Sequence, residues 1–292
     1  MREYWKSEIK EESTRTIMNE YLLGLKLANK SEKTIRNYRW FLERFFAECT
    51  VPLKLLTAEE VRKHLKQFTQ GKKERTVDAY LSALTSFFQF CLAEEYLENV
   101  VIKKRWRPKI PQSLPKYLNE MEYSKVKIVA ENLAPRDRAL ILFLFSSGCR
   151  SSEVSTLLIQ DVNLEKRTAE VTGKGKRIRN VHYSEECSIA LNEYLHSRPY
   201  KKEEPLFISH SGQPLTTYTI YSITRKIGTK AGLPKTLHPH CCRHTFATNM
   251  LARGATLELI ADELGHVNLN TTRIYARILS EDIISAYQNK MG

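Results

Sequence analysis

Ile17, Met18, Tyr21, Leu22 and Leu25 recur at intervals of three and four, as do Ile35, Tyr38, Leu42 and Phe45 after Ser31, which predicts two amphipathic helices, the first over 14–29. Thr57 followed by Glu60 is a capping-box pair that opens a third helix carrying Val61, Leu65 and Phe68. Val77, Tyr80, Leu81, Leu84, Phe87, Phe88 and Cys91 make the stripe of a fourth. The periodicity then stops: between Asn99 and Lys116, Lys103, Lys104, Arg105, Arg107 and Lys109 mix with Pro108, Pro111 and Pro115, a stiff basic linker. Beyond it, Asn119 with Glu122 marks a helix start, Arg138 to Ser147 is an apolar helix ended by Gly148, and a short helix follows from Ser151. Ala169 to Thr172 and Ile178 to Tyr183 flank Gly173-Lys174-Gly175, a β-hairpin with lysine at its tip. Helices resume near Glu185, over 217–230, 241–253 and 257–264, and from Thr271 to the end. The fold class is mainly α with a small antiparallel β-sheet. The expected domains are a helical one over 1–100, a basic Pro-rich linker over 101–118, and a second over 119–292 with a tail helix at 280–292.

Length and composition support two cores: 292 residues are about twice a usual domain, and 42% are apolar. The longest uninterrupted apolar run, Ala139 to Phe145, is far short of a membrane span, and the N-terminus has no signal-peptide core. The expectation is a cytoplasmic protein with no membrane partner. Charge is more selective: 46 Lys and Arg against 33 Asp and Glu give +13, of which residues 1–110 hold +7 and residues 111–292 hold +6. An excess on both folded halves suits a protein that surrounds a polyanion such as nucleic acid. On the first domain, Lys33, Arg36, Arg39, Lys72, Lys73 and Arg75 lie on exposed faces that can meet phosphates. The six cysteines are scattered and should stay reduced. Cys241 and Cys242 stand near His238, His240 and His244 but lack the C-x-x-C spacing of a tetrahedral zinc site, so neither metal nor cofactor is expected.

Taken singly, the polar residues of the second domain have ordinary structural readings. Arg150 can cap a helix, Lys174 can serve a turn, His240 and Arg243 can be structural neighbours on one helix face, His266 can end a helix, and Tyr275 can be core. Their order says more. Ser147-Gly148-Cys149-Arg150-Ser151-Ser152-Glu153, Gly173-Lys174-Gly175-Lys176, His240-Cys241-Cys242-Arg243-His244, Leu264-Gly265-His266 and Thr271-Thr272-Arg273-Ile274-Tyr275 resemble, in sequence order, the motifs of tyrosine recombinases (the phage integrase family), most of all the Xer type. The intervals of 24, 66, 3, 23 and 9 residues from Arg150 through Lys174, His240, Arg243 and His266 to Tyr275 are similar to that family's. The likeness extends to Lys33-Thr34-Ile35-Arg36-Asn37-Tyr38 and to the linker around Pro108 to Lys116. Cys149, Ser151 and Cys242 depart from the usual aliphatic neighbours of the two arginines. The resemblance implies a two-domain clamp around double-stranded DNA, with an N-terminal four-helix SAM-like domain and a C-terminal catalytic domain.

The implied reaction has a physical logic. Cutting DNA without losing bond energy requires a covalent intermediate, and a tyrosine phenolate is both nucleophile and tolerable leaving group. Tyr275 is the nucleophile and Arg150 and Arg243 clamp the nonbridging oxygens of the scissile phosphate. His266 adds a donor, His240 takes the phenol proton or orients it, and Lys174 protonates the departing 5′ oxygen, with Glu153 orienting Arg150. With no carboxylate cluster for Mg²⁺, activity in EDTA is expected. The product is a 3′-phosphotyrosyl link, passed on through a Holliday junction for resolution or integration. Strand exchange implies two duplexes and a homotetramer, or a heterotetramer with a partner recombinase, in which the tail helix at 280–292 either docks on a neighbour or packs back onto its own domain. The alternatives are a non-catalytic DNA-binding regulator on the same scaffold and a topoisomerase using the same attack.

Overall fold

The computed structural model describes residues 3–49, 51–99, 102–111, 115–173, 175–266 and 268–276. The chain divides into two compact units, Met1–Gln112 and Ser113–Gly292.

The first unit consists of α1 (Glu12–Leu27), α2 (Glu32–Glu48), α3 (Ala58–Thr69) and α4 (Glu74–Ala93). Each of the first three starts where a side chain takes otherwise unpaired amides: Glu11 accepts from Ser13 and Thr14, Ser31 from Thr34, and Thr57 and Glu60 form the reciprocal box expected from their spacing. The stripes face inward. Met18, Leu22, Ile35, Leu42, Val61, Leu84 and Phe87 are fully buried, and Phe45, Phe68, Tyr80 and Phe88 pack around them as edge-on and stacked rings. The stretch expected as linker starts inside this unit. Ile102 and Trp106 pack on its core, and Arg107 bonds Asp78 at 2.7 Å and Ser82 at 3.0 Å. At the other end of that stretch, Leu118 is buried in the second unit's core and donates its N–H to Thr245.

The second unit holds α5 (Glu120–Glu131), α6 (Pro135–Ser147), α7 (Ser151–Thr156), β1 (Val162–Asn163), β2 (Thr168–Thr172), β3 (Ile178–His182), α8 (Glu185–His196), α9 (Thr217–Lys230), α10 (Pro239–Ala252) and α11 (Leu257–Leu264). Every residue from Ala139 to Phe145 is buried, so α6 is the central helix, covered by α5, α8 and α10. Among the described residues no helix is long and apolar enough to cross a membrane. The sheet is antiparallel in the order β1-β2-β3, with Val171 opposite Arg179 and Ala169 opposite Val181. The sequence predicted β2 and β3 but not the two-residue β1, which is too short to show an alternation. Of the helix expected from Thr271 to the end, the described part is a 3₁₀ turn at Leu269–Thr271 and helical residues 273–276, and the remainder lies outside the described residues. Lys174 and the tail at 280–292 lie outside the described residues.

Candidate active site

Gly148 sets the geometry at the end of α6. Its φ of 61° is a left-handed conformation that glycine adopts freely, and a Cβ there would lie 2.5 Å from the Phe246 ring and 2.9 Å from Leu264. This close approach aims the Gly148 carbonyl at α10, where it accepts a 2.7 Å hydrogen bond from Arg243. The other terminal nitrogen of Arg243 donates to the Leu264 carbonyl at 2.6 Å and lies 3.0 Å from His266 Nε2. Arg243 is 3% exposed, and burial together with the nearby Arg150 pulls its pKa down to about 10, so it remains charged at neutral pH.

A guanidinium only donates, so His266 Nε2 accepts from Arg243, and its Nδ1–H is left to donate to Thr272 Oγ1 at 2.9 Å. Burial and the repulsion of Arg243 and Arg150 lower the His266 pKa to about 4. The ring is therefore neutral, with its single proton committed to Thr272. Donation to a phosphate oxygen requires that the approaching anion recruit a second proton or displace the Thr272 bond.

Arg150 stands at the start of α7 and bonds Glu153 Oε1 at 2.8 Å, while its backbone N–H reaches Oε2 at 2.8 Å. Glu153 is 2% exposed and also receives both terminal nitrogens of Arg179, at 2.8 and 3.0 Å. Burial pushes the Glu153 pKa up, but the bonds from Arg179 and the Arg150 backbone outweigh it, and the carboxyl sits below its ordinary value. Arg150 and Arg179 thus share one carboxylate, and with Arg243 bonded only to carbonyls and His266 the three arginines leave a net positive site suited to a phosphodiester anion.

Tyr275 is 1% exposed and packs with Ala247, Ile260 and Leu264. Its hydroxyl lies 2.9 Å from His244 Nδ1, a residue that sequence reasoning left without a role. Burial, followed by the charges of His240 and Arg243, lowers the His244 pKa to about 4, so a neutral ring faces the phenol. Burial also raises the Tyr275 pKa against the pull of Arg243 and Arg150, which leaves the phenol protonated in this arrangement. His240 lies one turn before Arg243 and His244 on α10 with much of its surface open to solvent, and partial desolvation of its ring together with the repulsion of Arg243 and Arg150 lowers its pKa. The helix starts there because His238 accepts the Cys241 N–H and Pro239 fills the first position.

Arg243 and His266 are in direct contact, Arg150 is held by Glu153, and Tyr275 reaches the same helix as Arg243 through His244. Lys174 is outside the described residues, but the hairpin closes beneath it, with Gly173 N–H donating to the Arg177 carbonyl at 2.7 Å. Two participants were missed by sequence reasoning, His244 and Arg179. One signal for Arg179 was available: on β3 it shares the inward face with buried Val181, and an inward-facing arginine needs a partner. Among the described residues no group of three or more His, Cys, Asp or Glu side chains is arranged to hold a metal, and all six cysteines are buried and unpaired.

Residues 111–281 match the phage integrase family, and residues 18–95 match the phage integrase N-terminal SAM-like domain. The chain is 37% identical over 278 residues to tyrosine recombinase XerA of Pyrococcus horikoshii, covering 93% of this chain and 92% of that protein. It is 33% identical over 276 residues to tyrosine recombinase XerC of Bacillus subtilis, covering 89% of this chain and 91% of that protein. Among solved structures, the post-cleavage complex of XerH site-specific recombinase bound to a palindromic difH substrate is 25% identical, with a TM-score of 0.76 over 96% of this chain and 90% of that one. With the arginine and histidine constellation assembled and the likeness running nearly end to end, the chain belongs to the phage integrase family of tyrosine recombinases, among its Xer-like members.

Proposed function

We propose that the protein cuts and rejoins duplex DNA at a specific site through a 3′-phosphotyrosyl intermediate formed on Tyr275. The observation that carries this reading is Arg243. One buried guanidinium is held by two carbonyls from distant segments, Gly148 and Leu264, and sits against His266 in a site that also holds Arg150. Such fixed donors favour the charge that grows on the nonbridging oxygens as the phosphorus becomes five-coordinate, at no cost in reorganisation. Arg150, oriented by Glu153, supplies the second pair of donors.

In the step itself the Tyr275 oxygen forms a bond to phosphorus while the bond to the 5′ oxygen breaks. The phenol proton passes to His240, the exposed base on α10, and the leaving oxygen takes a proton from Lys174. His266 donates to a nonbridging oxygen once the phosphate anion has raised its proton affinity. The buried Tyr275 must leave His244 to reach a phosphate, so DNA binding draws the segment around Tyr275 outward. Rejoining to a 5′ hydroxyl of a partner duplex gives a Holliday junction, and the reaction takes place in a tetramer on two duplexes, either of this chain alone or with a second recombinase. The XerH structure, a recombinase caught on its DNA after cleavage, supports this reading.

The test is incubation of the full-length protein, in EDTA, with a nicked DNA site that loses a short fragment on cleavage. A covalent adduct whose DNA 3′ end is blocked and 5′ end is free is expected. An adduct that requires Mg²⁺, or none from wild-type protein on a site it demonstrably binds, would refute it.

A further inference from the structure

Arg179 has no place in the reaction just described, yet it touches three of the segments that carry it. Its two terminal nitrogens hold both oxygens of Glu153, the carboxylate that orients Arg150, and its Nε donates to the Glu263 carbonyl at 3.0 Å. Gly265, the residue before His266, lies directly on it: a Cβ there would come within 3.0 Å of Arg179 Cδ and 3.1 Å of its guanidinium. Gly173, the residue before Lys174, lies on the same pair, where a Cβ would stand 3.3 Å from Glu153 Oε1 and 3.4 Å from Arg179 Nη1. The side chain of Arg179 is 14% exposed and that of Glu153 is 1% exposed, so water does not substitute for either.

We infer that Arg179 is a positioning residue for DNA cleavage: it locks the base of the lysine hairpin, the Glu153–Arg150 pair and the Gly265–His266 turn into one rigid unit. The inference rests on the catalytic roles proposed above for Lys174 and Arg150. The planar fork and the separate Nε donor suit this task. An ammonium in its place would keep the charge but could not satisfy two carboxylate oxygens and a carbonyl in one plane. Burial favours the neutral forms of both partners, and the Arg179–Glu153 contact overcomes it on both sides, keeping the pair ionised.

The experiment measures single-turnover adduct formation by the full-length protein carrying Arg179→Gln, Lys174→Ala, or both. Two nicked substrates are used: an ordinary phosphodiester, and one with sulfur in place of the bridging 5′ oxygen, whose thiolate leaves without a proton. On the ordinary substrate Arg179→Gln should slow cleavage about 10²-fold, the scale of an ångström-sized misplacement of reacting groups. The same substitution should cost about tenfold or less on the sulfur substrate, and likewise when Lys174 is already alanine, because the share transmitted through the lysine is then gone. Arg179→Lys, which keeps the buried charge, should show the same pattern at smaller size and serves where the glutamine variant does not fold. Equal losses on both substrates and in both backgrounds would overturn the inference and leave Arg179 a structural arginine, as would a rate within twofold of wild type. Failure of sulfur to rescue Lys174→Ala alone would instead remove the acid role of Lys174. The coupling between the two substitutions then still decides the role of Arg179.

Discussion

The two units keep their polar groups in different places. Among the described residues, the first unit buries only Ser7 and Thr14 as polar residues and fills its interior with aromatic and aliphatic side chains; its cations are at the surface or, like Arg39, half-buried at its edge. The second buries Glu153 and Arg243 together with Ser147, Thr224, Thr245, Thr248 and Thr272, and brings Arg150, Arg179 and His266 to the edge of that interior. Burying charge is costly unless every donor and acceptor is met, and an apolar replacement of similar volume is often no less stable. The first unit is therefore built as a body with an almost wholly apolar interior. The second accepts a less favourable interior, and under the function proposed here its rigid, already desolvated donors are what one phosphate anion would meet.

Three tryptophans, Trp5, Trp40 and Trp106, all belong to the first unit, so tryptophan fluorescence follows that unit alone, and the second unit's transition is the part of the amide signal that tryptophan does not follow. This separates effects on the two. The largest effect expected is on chemistry: Arg243→Ala should reduce single-turnover cleavage by about 10³-fold or more, since it removes the paired donors. Arg243→Lys should remain about 10²-fold down because one ammonium cannot replace two fixed donors. Normal cleavage by either variant would break the comparison at its centre. Next, Phe87→Ala should lower the denaturant midpoint of the tryptophan signal by the equivalent of ~3–5 kcal/mol, a cavity cost in a fully apolar core, without changing the cleavage rate of bound, folded protein.

A smaller effect is expected from pH. His244 and His266 have folded pKa values of about 4, below the ordinary value of about 6.5 for the unfolded chain. Above pH 6.5 both states are neutral there and nothing changes. As pH falls from 6.5 toward 4, the unfolded chain gains protons that the folded second unit refuses, and its stability declines. Thermal unfolding followed at pH 7 and 5 should show the second unit's transition moving down more than the tryptophan transition; equal movement would refute the assignment. The smallest effect is that of His244→Ala, which strands the Tyr275 hydroxyl and should cost ~1–3 kcal/mol in the second unit's transition alone.

Local signals made most of the fold legible. The capping pairs Thr57 with Glu60 and Asn119 with Glu122 form as their spacing indicates, and the stop at Gly148 follows from a left-handed φ. The reading of the site depended on spacing along the chain, since no single residue among Arg150, His266 and Tyr275 is distinctive. What stayed hidden was tertiary. Arg179 owes its importance to Glu153, 26 residues away, and to two glycines whose closeness no periodicity encodes. His244 follows Arg243 in sequence, yet about 100° of helical rotation turns it from the arginine's carbonyls to the phenol of Tyr275, 31 residues on. The reach of the first unit past residue 100 was likewise masked by the prolines and charges around it, because Ile102 and Trp106 are isolated apolar positions in a basic stretch.

The most direct measurement is peptide mapping of the covalent adduct formed on nicked DNA. After nuclease and protease digestion, mass spectrometry should find the nucleotide remnant on the peptide containing Tyr275, linked through its 3′ phosphate, and Tyr275→Phe should yield none. A remnant on another residue, or an undiminished adduct from Tyr275→Phe, would contradict the account.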